Sequence, residues 1–114
     1  MNQPIYKIVD REQWQSAMRA GLFAGAEIDL QDGYIHFSAR HQVAETLRKH
    51  FAGRRDLLLI EVQSGDLGES LRWEVARNGD EFPHLYCALD VRQMTESYEL
   101  PVDESGQHIL PAGF

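Results

Sequence analysis

The stretch Asp32-Gly33-Tyr34-Ile35-His36-Phe37-Ser38 decides how the rest of the chain is read. Asp-Gly is turn chemistry, and the residues after it alternate. Successive side chains of a strand point to opposite faces. The spacing therefore puts Ile35 and Phe37 on one face and Tyr34, His36 and Ser38 on the other. The first face is apolar and belongs against a core. The second is a row of hydrogen-bonding groups that a core does not need. Ser38 falls where a helix N-cap is expected, because Ala39-Arg40-His41-Gln42-Val43 opens a helical pattern. A strand that carries an imidazole and ends at a capped helix N-terminus can hold an anionic ligand. It is equally a piece of ordinary scaffold.

Upstream, Ile5-Tyr6-Lys7-Ile8-Val9 reads as a strand. Asp10 and Gln13 have capping-box spacing. Trp14, Ala17 and Met18 recur at helical intervals, and Gly21 ends the helix in a left-handed turn. Residues 22–30 show no clear period and are expected to form an ordered loop with one short helical turn. Downstream, a helix is expected over 39–51, with Val43, Ala44, Leu47 and Phe51 as its buried stripe. His41 and His50 fall outside that stripe and are given no role. Leu57-Leu58-Leu59-Ile60-Glu61-Val62 is aliphatic enough for a central strand. In Leu71-Arg72-Trp73-Glu74-Val75, Trp73 and Val75 share one face and Arg72 and Glu74 the other. Asn78-Gly79 is a hairpin signal. Residues 82–89 form a strand entered through Pro83, with Leu85, Cys87 and Leu89 inward and Phe82, His84 and Tyr86 on the opposite face. A last strand is expected near 97–100. Strand, helix, strand, helix and then mostly strands is the order of an α+β protein.

The totals narrow the function classes. At 114 residues the chain is expected to be one domain, 1–114. Its 11 Lys+Arg against 18 Asp+Glu give a net charge of -7, which argues against a duplex nucleic acid as partner. The basic run Arg48-Lys49-His50 complements the dipole at the end of its helix. The longest apolar run, Leu57-Leu58-Leu59-Ile60, is too short to span a bilayer, so no membrane partner is expected. A single cysteine, Cys87, excludes an internal disulfide framework. Met1-Asn2-Gln3-Pro4 lacks the character of a signal peptide, and the expected location is cytoplasmic. Glycines stand singly, so the dinucleotide-binding fingerprint is absent.

The strand parities place His36, His84, Tyr34, Ser38, Tyr86, Arg72 and Glu74 in one non-aliphatic class, and in facing or curved sheets they could line a single cleft. Several readings stay open. His36, His84 and Glu74 match a two-histidine, one-carboxylate metal set, but without local ligand spacing, and no metal is expected. Ser38 or Cys87 could act as a nucleophile given a base, although Ser38 is explained as a cap and Cys87 lies in the core phase. A pocket for a nucleotide-like or other anionic molecule would use His36 and Arg72 as donors and Tyr86 or Phe82 as a stacking face. The polar residues could also simply cover the open side of an antiparallel sheet.

Asp32-Gly33-Tyr34-Ile35-His36-Phe37-Ser38, with Trp73-Glu74 and Phe82-Pro83-His84-Leu85-Tyr86, resembles the small bacterial proteins grouped as domain of unknown function 952. Ile5-Tyr6-Lys7-Ile8, Trp14 with Gly21, Gln42-Val43, Phe51 with Gly53 and the aliphatic strand after Asp56 extend the likeness over nearly the whole chain. Cys87 departs from it, since a glycine usually follows His-Leu-Tyr. That family's fold is similar to the ADP-ribosyltransferases, including the RNA 2'-phosphotransferases. The resemblance thus implies two small, mainly antiparallel sheets with flanking helices, and NAD in a cleft between them. The phosphotransferase strand His-x-His-Leu-Ser is echoed by Tyr34-Ile35-His36-Phe37-Ser38. By this route His36 would correspond to the strand histidine and Tyr86 to the hydroxyl-bearing residue of a second strand. With the strand faces, the candidate catalytic residues are His36, Tyr86 and Glu74, and the candidate ligand-binding residues are Tyr34, Ser38, Arg72, Phe82 and His84. Glu74 precedes the His84-Leu85-Tyr86 strand, which departs from the later glutamate of the transferases. The expected function is binding of NAD or a related nucleotide; if the protein is an enzyme, the resemblance implies group transfer from that ligand. The alternative is a non-catalytic module for a small metabolite or a protein.

Overall fold

Leu57, Leu58, Leu59 and Ile60 are all buried, so their strand is covered on both faces. The computed structural model, which describes residues 2–76 and 79–114, places this run in the middle of a four-stranded antiparallel sheet. In chain order the first elements are β1 (Pro4–Asp10), α1 (Arg11–Ala20), β2 (Leu22–Phe23), α2 (Glu27–Asp32), β3 (Ile35–His36) and β4 (Ser38–Ala39). A 3-10 turn at Arg40–Gln42 leads into α3 (Val43–His50) and β5 (Leu57–Gln63). The rest is β6 (Leu71–Val75), β7 (Glu81–Leu85), β8 (Leu89–Asp90) and β9 (Met94–Leu100). The main sheet runs β4-β1-β5-β9; β3-β7-β6 forms a second sheet and β2-β8 a short ribbon. Each strand pairing in these sheets is antiparallel, so the α+β class and small antiparallel sheets are observed. Among the described residues no helix is long and apolar enough to cross a membrane.

Strand parity divides the core in two. Tyr6, Ile8, Leu57 and Leu59 leave one face of the main sheet and meet Val43 and Leu47 of α3, with Leu110 and Phe114 packed beside them. Ile5, Val9, Leu58, Ile60 and Val62 leave the other face toward Trp14 and Ala17 of α1 and toward Phe23, Ile35, Phe37, Leu85 and Leu89 of the smaller sheets. Lys7 is in phase with Ile5 and Val9 and is buried with them.

Several local expectations are corrected. Ser38 is not a helix cap: it pairs with Tyr6 in β4, is buried, and lies 3.1 Å from the Thr46 hydroxyl through Oγ. Gln42 does the capping instead, accepting from the Ala39 amide at 2.9 Å and donating to the Glu81 carbonyl at 2.8 Å. The helix expected over 39–51 is therefore a 3-10 turn followed by α3, and Ala44 is exposed. Asp10 precedes α1 but its side chain caps nothing; both its oxygens lie 2.9 Å from Arg54. Residues 22–30 contain β2, which exists because β8 pairs with it, and the start of α2. Asp32-Gly33 is the end of that helix, and Gly33, at φ 88°, takes the left-handed turn that closes it. The strand expected over 82–89 ends at Leu85 as the chain bends toward β8, so Leu85 and Leu89 point inward while Cys87 is exposed. Phe82 is buried rather than open. Trp73 packs on the core, but Val75, at the strand end, is exposed. Asn78 lies outside the described residues; Gly79 beside it has φ 80°.

Candidate functional site

In the second sheet His36 stands directly opposite His84, and His84 directly opposite Arg72. Directly opposed residues share a sheet face with Cβ atoms about 5 Å apart, so one rung carries both imidazoles and the guanidinium. Tyr34 precedes β3 and Tyr86 follows β7. The Tyr34 ring stacks on His84 at 4.2 Å and 30°. It also lies 4.6 Å from His36 and 5.2 Å from Tyr86. The two imidazoles are 5.6 Å apart, edge to face. Two strands of unlike sequence position thus build one aromatic cluster by parity alone.

Glu74 binds the cluster from β6. One carboxylate oxygen accepts from the Tyr86 hydroxyl at 2.6 Å and lies 2.8 Å from Nδ1 of His84. These bonds, Tyr86 first, hold the Glu74 pKa below the usual glutamate value. The same bond to Glu74 raises the Tyr86 phenol. Burial raises Tyr34, helped by the negative charges of Asp32, Glu74 and Asp29. The Arg72 guanidinium sits 5.1 Å from the Tyr86 ring centre, within reach of a cation–π contact. His84 is buried, His36 half-buried and Tyr86 exposed, so the cluster opens to solvent at one end.

A second set of charges fixes His36. The buried Lys7 ammonium donates to both oxygens of Asp29, at 3.1 and 2.8 Å, and to the His36 carbonyl at 3.0 Å. Three acceptors meet its three protons. Asp29 also accepts from the amides of Ala26 at 2.8 Å and His36 at 3.1 Å, and lies 2.6 Å from Nδ1 of His36. Gly25, at φ 125°, lets the chain pass close by, since a Cβ there would fall 2.8 Å from the Asp29 Cβ. The other ring nitrogen, Nε2, is 3.0 Å from Asp32. Both ring contacts are satisfied together only when each nitrogen carries a proton.

Burial lowers the Lys7 ammonium pKa, against the opposing pull of Asp29. Burial alone would raise Asp29, but the His36 bond and the Lys7 charge outweigh it and hold this carboxyl at about 2, against an ordinary 3.8. A folded value below the unfolded one means stability that is present above 3.8 and lost as pH falls through about 2. Acidification across that window is expected to remove about 2 kcal/mol through Asp29. Urea unfolding at about pH 5 and about pH 2 checks it. A variant with Lys7→Met and Asp29→Leu should lose that much less; an unchanged acid loss would remove Asp29 from the explanation.

The structure brings together Tyr34, His36, Arg72, Glu74, His84 and Tyr86. It does not bring Ser38, whose hydroxyl turns to α3, or Phe82, which is buried. Asp29, Asp32 and Lys7 escaped the sequence reading. Lys7 carried a signal, being a lone charge in the apolar phase of β1, whereas Asp29 sat where no period was visible. Among the described residues no three His, Cys, Asp or Glu side chains are disposed to hold a metal ion. Two open surface hollows, about 390 and 310 Å³, share Arg11 and Asp56 and include none of the cluster.

A family model described as Protein of unknown function (DUF952) matches residues 8–97. The crystal structure of protein CC0527 from Caulobacter crescentus is 44% identical, with 95% of each chain covered and a TM-score of 0.91. The solution NMR structure of that protein matches with a TM-score of 0.82 at 44% identity, covering 91% of this chain and 90% of that one. No curated protein matches the chain.

Proposed function

The chain belongs to the family of proteins of unknown function DUF952, and from the geometry of its cluster we propose that it binds NAD or a related nucleotide. One observation carries the reading: His36 and His84 face each other across β3 and β7, with Tyr34 stacked on His84 and Glu74 joining His84 to Tyr86. Flat rings stack on flat rings. The exposed Tyr86 face suits a base, and its neighbour Arg72 offsets phosphate charge. A nicotinamide ring in NAD is cationic, and Glu74 beside aromatic faces suits a cation. His36 would orient the ribose. Ser38 and Phe82 are framework in this reading.

An ADP-ribosyltransferase-like arrangement goes with it, supported by two antiparallel sheets that meet where the chain passes from His36 to Ser38. Group transfer would break the bond between ribose C1′ and nicotinamide nitrogen. The electron pair leaves on nicotinamide, an acceptor nucleophile takes C1′, and Glu74 offsets the positive charge that develops there. A second reading, non-catalytic recognition of a cationic or neutral small metabolite, is favoured by the carboxylates of Asp32 and Glu74 that flank the rings.

A backbone amide NMR titration with NAD, ADP-ribose, nicotinamide and AMP, repeated on His36→Ala, tests both. Saturable shifts at residues 34–38 and 84–86 with NAD, lost in the variant, are the expected result. Shifts with nicotinamide alone would favour the second reading. No shift with any of the four at millimolar concentration would discard the nucleotide site.

A further inference from the structure

Asp29 is held more firmly than the histidine it touches. Its side chain is 1% exposed, and Lys7, the Ala26 amide and the His36 amide all fix its oxygens. A carboxylate tied on three sides cannot swing, so the ring nitrogen 2.6 Å from it is fixed as well. This leaves Nε2 as the atom the ring presents outward. There it meets Asp32, and the two side chains are 31% and 37% exposed, open enough for an incoming group to replace the contact.

Asp32 is oddly placed for a structural residue. It is the last residue of α2, whose final turn carries no basic side chain, and a helix C-terminus disfavours negative charge. The hydrogen-bond partner its carboxylate has among the described residues is His36. Carboxylate and phosphate oxygens are equivalent acceptors for an imidazole N–H.

We propose that the Lys7–Asp29 pair positions His36 so that Nε2 is the donor offered to an anionic oxygen of the ligand, and that the Asp32 carboxylate holds that place in this structure. The proposal rests on the reading of the cluster as a nucleotide site and names the ligand group that His36 receives. Lys7 and Asp29 touch no ligand; they act through the ring. The position of Asp32 also makes it a specificity residue, because a ligand that takes Nε2 must displace it, and an uncharged oxygen is a weaker acceptor than the carboxylate it would replace.

The test uses inorganic pyrophosphate as probe and the ring nitrogens of His36 as readout, in protein labelled with nitrogen-15 at histidine. Pyrophosphate is expected to shift His36 Nε2 in the wild type. Asp32→Asn should bind it about two- to fivefold more tightly, the worth of one exposed ion-pair contact removed as competitor. The double variant of Lys7→Met with Asp29→Leu should lose the hydrogen-bonded Nδ1 signal and bind about tenfold more weakly. A merely structural pair would lose that ring contact too but leave the pyrophosphate affinity of a folded double variant unchanged, and that result overturns the proposal. So does an Asp32→Asn affinity equal to or below that of the wild type, or the absence of pyrophosphate binding. Asp32 is exposed at a helix end, so its variant keeps the fold and that arm decides alone. Pyrophosphate binding without NAD binding would discard the NAD reading and leave this proposal standing. NAD binding that ignores Asp32→Asn would do the reverse.

Discussion

Replacing Lys7 with Met is expected to cost the fold about 3–5 kcal/mol, the range for removing one partner of a buried ion pair. Met fills most of the volume, keeps the apolar stem and suits the flanking Ile5 and Val9, so the loss is not a cavity effect. What remains is a carboxylate, 1% exposed, that has lost its ammonium partner. His36 still faces it, but across a ring that also serves Asp32. Urea unfolding reads the cost, and a thermal midpoint should fall by at least about 10 °C, at roughly 4 °C for each kcal/mol. Adding Asp29→Leu should return much of the loss, because a buried pair can often be exchanged for apolar residues at little net cost. It will not return all of it, since the amides of Ala26 and His36 lose their acceptor. The two changes are therefore expected to be strongly non-additive, with the double variant more stable than Lys7→Met alone. A Lys7→Met cost below about 1 kcal/mol would mean that Asp29 finds water or a proton on losing its partner, outside the range for a broken buried pair. The pair would then be no anchor for His36.

What was legible in the sequence was parity and local chemistry. The aliphatic run at 57–60 had to be covered on both faces, and it is. Gly21 closes α1 in a left-handed turn, its amide donating to the Ala17 carbonyl at 2.7 Å. Parity also put His36, His84, Tyr86 and Glu74 in one class, and the structure gathers them. The misreadings have a common physical origin, which is partners distant in sequence. Ser38 has strong cap propensity, but Tyr6 across the ladder claims its backbone and Gln42 supplies the cap. Two residues, Leu22 and Phe23, form a strand only because Leu89 and Asp90 lie beside them. The alternation that points Cys87 inward ends with the strand at Leu85, and Cys87 is exposed. Asp29 is the deepest omission. Its role comes from Lys7 on one strand and His36 on another, and nothing in residues 22–30 points to either. The charge in the apolar phase of β1 was the clue, since a buried lysine requires a buried acceptor.

Phe37→Ala is expected to destabilise by about 3–5 kcal/mol, the usual cost of truncating a buried aromatic ring, whereas Phe37→Leu should cost about 1 kcal/mol. The ring is 2% exposed and packs in the core shared by Ile35, Leu85 and Leu89. Its position matters as much as its volume. The Phe37 amide donates to the Pro83 carbonyl at 2.9 Å, carrying the β3–β7 pairing one residue past the two histidines. The next residues, Ser38 and Ala39, pair with Tyr6 and Ile5 in the main sheet. Phe37 is thus where the chain passes from one sheet to the other, and its side chain is what both sheets bury there. Loss of the ring should loosen the crossing before it loosens the main sheet. Amide hydrogen exchange in Phe37→Ala is expected to speed up at residues 35–37 and 83–85 more than in β5, with the His36 and His84 ring signals broadened together. Equal acceleration everywhere would mean that the ring only adds to global stability. If Phe37→Ala instead cost no more than Phe37→Leu, backbone pairing alone would hold the two sheets together, and the facing of the histidines would depend on the Lys7–Asp29 anchor rather than on the core beneath them.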